Sequence, residues 1–102
     1  MSEQHEMDLP KYLIEKGVKL SGEMAWPPDA AIEVIDYMAN AGEAVVGVEW
    51  WRDVRGMATW EATSNYHCDH SLPHSEYVAA CAKGAKDFIE QFRNEPGALF
   101  NI

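Results

Sequence analysis

The densest run of chemistry-bearing side chains is Tyr66-His67-Cys68-Asp69-His70, with His74 four residues further on. Histidine, cysteine and aspartate all bind zinc and related metals. The spacing argues against a metal centre, because there is no C-x-x-C pair and no second ligand group elsewhere. Neighbouring side chains in one loop converge on an ion only through a distorted backbone. His67, Cys68, Asp69, His70 and His74 therefore read as a polar loop between a strand and a helix. A small metal-binding domain is the alternative, and no cofactor is expected.

Catalytic readings are weaker still. Cys68 beside His67 is no nucleophile–base pair, since adjacent residues on an extended chain point apart. Cys81 falls on the apolar stripe of a helix, where cysteine behaves as a small hydrophobe. No phosphate-binding glycine loop or nucleophile elbow occurs. Glu49 and Glu61 could imitate the carboxylate pair of a glycosidase, yet nothing around them forms a pocket. The chain reads as a protein that performs no chemistry.

Those two glutamates sit on a hairpin. Ala44 to Arg52 reads as one strand and Met57 to Thr63 as its partner. Asp53-Val54-Arg55-Gly56 has the residues of a type I turn followed by a glycine bulge. That loop pairs Asp53 with Met57, which sets Trp50 opposite Trp60 and Glu49 opposite Glu61. Val46, Val48, Trp50, Trp60 and Ala62 then form a core face covered by helices. Gly47, Glu49, Trp51, Thr59, Glu61 and Thr63 form the other. Trp51 flanked by acids has the makings of a binding hot spot; the competing reading is that residues 18–26 cover it. Like charges directly opposite weaken a hairpin, so replacing Glu49 or Glu61 with glutamine is expected to leave stability unchanged or raised.

The remaining elements frame the hairpin. Asp8-Leu9-Pro10 opens a short helix that Gly17 stops. Residues 18–26 form an ambiguous strand-like run. Pro27-Pro28-Asp29 starts a helix with Ala31, Ile32, Ile35, Met38 and Ala39 on its buried face, and Gly42 ends it. Ser75 caps a last helix whose stripe runs through Tyr77 or Val78, Cys81, Ala85, Phe88, Ile89 and Phe92. Pro96-Gly97 ends that helix, and residues 98–102 return as a third strand. The expectation is one α+β domain over residues 1–102: a small antiparallel sheet with a central β-hairpin, packed on one face by two or three helices. Residues 1–8 are expected to be disordered.

Charge narrows the partners. The chain carries 17 acids against 8 bases, a net −9, over 102 residues. Between Glu23 and Glu76 only Arg52 and Arg55 offset ten acids. Such a surface repels nucleic acid and anionic membranes and attracts basic proteins. The acidic start lacks a signal-peptide pattern, and no apolar run reaches the ~18–20 residues of a membrane helix. Two cysteines make no secreted disulfide framework. A cytoplasmic protein with two free thiols is expected.

The order of helix, Val46-Gly47-Val48-Glu49-Trp50 strand, second strand, Thr63-Ser64-Asn65-Tyr66-x-Cys68 turn and Tyr77-Val78…Ala85…Ile89 helix resembles the Immunity protein 40 family of bacterial polymorphic toxin systems. The resemblance spans roughly residues 27–102. It implies a small protein that binds and neutralises a toxin encoded beside it. An acidic inhibitor would gain electrostatic steering towards a basic toxin. Glu49, Trp51, Glu61, Asn65 and Tyr66 are the candidate contacts, on the acidic side of the hairpin and the turn that follows it.

Overall fold

The computed structural model describes residues 9–20, 22–55, 57–65 and 71–102. After Pro10, helix α1 spans Lys11–Glu15. Strands β1 (Val18–Leu20) and β2 (Glu23–Ala25) follow as a hairpin, with Leu20 opposite Glu23 and Gly22 at φ 82°. The ambiguous run is thus two strands, each too short to show an alternating pattern. Asp8 lies outside the described residues.

Helix α2 spans Pro28–Asn40, with Pro28 and Asp29 in its first turn. Its end is closed by the Glu43 N–H donating to the Met38 carbonyl and the Gly42 N–H donating to that of Ala39, each at 2.9 Å. This double closure needs a left-handed residue after the cap, and Gly42 supplies it at φ 83°. Strands β3 (Gly47–Val54) and β4 (Met57–Asn65) make the central hairpin, and helix α3 spans His74–Phe92. Pro73 occupies the cap position, so Ser75 lies inside the helix rather than at its cap. Strand β5 (Ala98–Asn101) pairs antiparallel with β3, giving the order β4-β3-β5.

The expected α+β architecture is present, with cover on both faces of the sheet. On one face Ala31, Val34 and Ile35 of α2 and Ala82, Ala85 and Ile89 of α3 pack with Val48, Trp50 and Phe100. On the other face Leu20 and Ala25 of the small hairpin pack with Trp51 and Leu99. Ion pairs tie α3 to α2, Lys86 to Asp36 at 2.8 Å and Arg93 to Asp29. Exposed pairs of this kind contribute about 0–1 kcal/mol each. The buried apolar side chains, at roughly 1.5–3 kcal/mol apiece, dominate.

Trp26 joins the layers. Its backbone bridges Phe100 through two hydrogen bonds of 2.8 and 2.9 Å, extending the sheet past β5. Its indole Nε1 donates to the Leu13 carbonyl at 2.8 Å, which pins α1 to the core. Gly17 makes room for that ring, because a Cβ there would lie 2.8 Å from Trp26 Nε1 and 2.5 Å from Met24 Cε.

Cys81 departs from expectation. It is fully buried and disulfide-bonded, and no cysteine among the described residues is free. The chain's other cysteine, Cys68, lies outside the described residues. Among the described residues no helix is long and apolar enough to cross a membrane.

Two measurements check this frame. Gly17→Ala gains about 0.4–1 kcal/mol from a less flexible unfolded chain, whereas overpacking costs about 1–3 kcal/mol. The clash should win, so the denaturant midpoint is expected to fall, and a raised midpoint would contradict the packing at Trp26. Alkylation of denatured, unreduced protein should leave Cys81 unlabelled until a reductant is added; labelling beforehand would contradict the bond.

Candidate partner-binding surface

The hairpin register decides which side chains face solvent. Val54 pairs with Met57, so the connection is the two residues Arg55 and Gly56, with Arg55 at φ 55°. Short loops with left-handed residues follow the natural strand twist better than the longer turn expected from sequence. The pairing continues as Asp53 with Ala58, Arg52 with Thr59 and Trp51 with Trp60. It then shifts, and Trp50 pairs with Ala62, Glu49 with Thr63 and Val48 with Ser64. Glu61 is the extra residue, a β-bulge.

This register overturns three sequence expectations. Trp60 does not share the helix-covered face with Trp50; it lies across from Trp51 on the opposite face and is 61% exposed. Val48, Trp50 and Ala62 do face the helices, but Val46 is exposed. Glu49 and Glu61 are not opposite each other. The bulge turns Glu61 to the helix side, where it meets Arg52 at 3.5 Å. Arg52 also pairs with Glu95 at 3.6 Å, donates to the Pro96 carbonyl and lies 5.3 Å from the Trp50 ring centroid. Trp50 in turn stacks on Phe92 with centroids 4.3 Å apart. The like-charge pair is replaced by an acid–base network that caps an aromatic stack.

Trp51 is 6% exposed, held between the sheet and the small hairpin, so the competing reading of that residue is the one seen. Its Nε1 donates to Glu49 Oε1 at 2.9 Å, which explains an acid two residues before a buried indole. The exposed tryptophan of the hairpin is Trp60. Its ring is held in place although exposed, because Nε1 donates to Thr63 Oγ1 at 2.9 Å. Beyond it, at the end of the hairpin, Met57 is 73% exposed and its pair Val54 is also exposed. An exposed indole with a fixed orientation loses little conformational freedom on binding. The Trp60 position could be found from sequence only by choosing the two-residue turn over the longer one, and Asp53 to Gly56 suits both in residue type.

Asn65 ends β4, paired through its backbone with Gly47. Tyr66, His67, Cys68, Asp69 and His70 lie outside the described residues. His74 opens α3, and its Nε2–H donates to the Gly42 carbonyl at 2.8 Å, joining the start of α3 to the end of α2. Among the described residues no group of three or more His, Cys, Asp or Glu side chains is placed to hold a metal.

The model of a family described as Immunity protein 40 matches residues 12–102, most of the chain. No curated protein and no solved structure matches it.

The Arg52 network carries its own test. Glu61→Gln is expected to lower stability by at most about 1 kcal/mol, because its pair is only partly buried. Arg52→Ala should cost more, since it uncovers the Trp50 ring as well as ending both ion pairs. Thermal melts giving a larger loss for Glu61→Gln than for Arg52→Ala would contradict this arrangement.

Proposed function

Starting from a chain that belongs to the Immunity protein 40 family, we propose that it neutralises a cognate toxin by direct contact through the exposed side of β4, with Trp60 as the aromatic anchor. Membership of an immunity-protein family supports toxin neutralisation by binding. The observation that carries the choice of surface is the exposed Trp60 ring, held by Thr63 and unused by the core. Tryptophan is strongly enriched among interface residues whose truncation is costly. Glu49 and Asp53 flank Trp51 on β3, on the face that Trp60 shares, and form an acidic rim beside the anchor. Glu61 adds a further acid at the bulge, and Asn65 continues the strand. Tyr66 stays in the proposed contact set on its sequence position alone.

The net −9 and the scarcity of bases between Glu23 and Glu76 support a basic toxin surface and disfavour nucleic acid or anionic membrane as the partner. In this reading the chain works by occlusion and performs no catalysis. A cytoplasmic site of action belongs to the same reading. The Cys81 disulfide stands against it, since such bonds persist chiefly in oxidising compartments. Trapping thiols in living cells before lysis decides the compartment.

The experiment is calorimetric titration with the toxin domain encoded beside the gene. Trp60→Ala should weaken binding by about 30-fold or more, with the melting temperature changed little because the ring is exposed. Raised salt should slow association. If Trp60→Ala and wild type bind alike, the anchor lies elsewhere on the molecule.

A further inference from the structure

Strand β4 is an edge. The opposite side of the sheet is closed by the Trp26 bridge to Phe100, whereas among the described residues no strand pairs with the outer side of β4. Natural sheets guard such edges with lysine, proline or a bulge. Met57 to Asn65 contains neither lysine nor proline, and its bulge comes only at Glu61. The regular stretch Met57 to Trp60 is left as a template.

The hydrogen-bond pattern shows which backbone groups point outward. Asp53 donates its N–H to the Gly97 carbonyl, on the β5 side of β3. Asp53 and Ala58 therefore form a pair without mutual hydrogen bonds, and the N–H and C=O of Ala58 face the open edge. Two residues on, Trp60 repeats that orientation. A check comes from Phe100, whose N–H and C=O both engage Trp26. Phe100 pairs with Trp50, so Trp50 turns its own backbone groups towards β4, and Trp51 turns away from Trp60. Ala58 and Trp60 thus present their backbone donors and acceptors outward in register, beside the fixed Trp60 ring.

We propose that this edge takes an extended, basic segment of the partner protein as a fourth strand, pairing with Ala58 and Trp60. This rests on the toxin-binding reading and specifies how that contact is made. Backbone pairing supplies the affinity in strand addition, and side chains of the added strand supply specificity. The charge of the chain selects the occupant. A second copy would bring another net −9 to the same edge, whereas a lysine- or arginine-bearing strand meets an acidic hairpin, with Glu49 and Asp53 on the face that Trp60 shares.

Amide hydrogen exchange resolved by residue tests this, using the full chain with and without the toxin domain encoded beside its gene. In the free protein the Ala58 and Trp60 amides should exchange fast, and those of Met57 and Thr59, bonded to β3, slowly. On binding, Ala58 and Trp60 should become protected by at least about tenfold. Ala58→Pro removes only an outward donor, so it should weaken binding by about tenfold while keeping the protection of Thr59. Tight toxin binding with unchanged exchange at Ala58 and Trp60 would overturn strand addition and leave the toxin-binding reading standing. No toxin binding at all would overturn both. Protection that rises with protein concentration alone would make a second copy the occupant and overturn the basic segment.

Discussion

Two adjacent tryptophans on one strand cannot both be buried by a one-sided sheet. Successive side chains of a strand point to opposite faces, so Trp50 and Trp51 require cover above and below β3. Helices α2 and α3 provide it on one side, where Trp50 stacks on Phe92. The β1–β2 hairpin provides it on the other, where Leu20 and Ala25 enclose Trp51. The rest of the architecture follows from that demand. Trp26 must bridge to β5 to hold the small hairpin against the sheet, and Gly17 must be small so that α1 can close over the Trp26 ring.

The two-residue turn lets that double burial coexist with an exposed third tryptophan, because it sets Trp60 opposite Trp51, and the bulge at Glu61 then adjusts what lies opposite Trp50. Without the extra residue, Glu61 rather than Ala62 would sit directly opposite Trp50. With it, Ala62 takes the place opposite Trp50, and a small side chain there leaves room for Phe92. Trp60, placed opposite Trp51 by the turn, lies on the other face, beyond the cover of the small hairpin. Turn length and bulge together thus decide what the surface offers and how the core is filled. Glu61 also brings a carboxylate to Arg52, which lies over the Trp50 ring.

Element order and type were legible because each helix carried its own signals: Pro28 and Asp29 at the start of α2, Gly42 at its end, and the Cys81–Ala85–Ile89 stripe of α3. The hairpin was legible as a hairpin, and the helix-facing trio Val48, Trp50 and Ala62 emerged correctly. Its register was not, because Asp53 to Gly56 suits two loop lengths equally well in residue type. A bulge has no composition of its own, and Glu61 is an ordinary strand-surface residue. The β1–β2 pair was hidden for a different reason: three residues per strand are too few to show a period. The candidate surface inherited these errors: Trp51 is buried, and its cross-strand partner Trp60 is the exposed ring, so the proposed anchor is Trp60. The disulfide at Cys81 could not be read from spacing, since two cysteines in a chain of this length announce neither a bond nor its absence.

The most direct single measurement follows the indole N–H signals of the four tryptophans by two-dimensional NMR as the toxin domain is added. Trp26 and Trp51 have buried indoles bonded to Leu13 and Glu49, and the Trp50 ring is packed against Phe92. Trp60 alone has its ring in solvent. The expected result is slow solvent exchange for the three buried indoles, fast exchange for Trp60, and a large shift on complex formation confined to Trp60. A Trp51 indole that exchanges rapidly, or a toxin complex that leaves the Trp60 signal in place, would contradict the partition of tryptophans on which both the fold and the proposed binding surface depend.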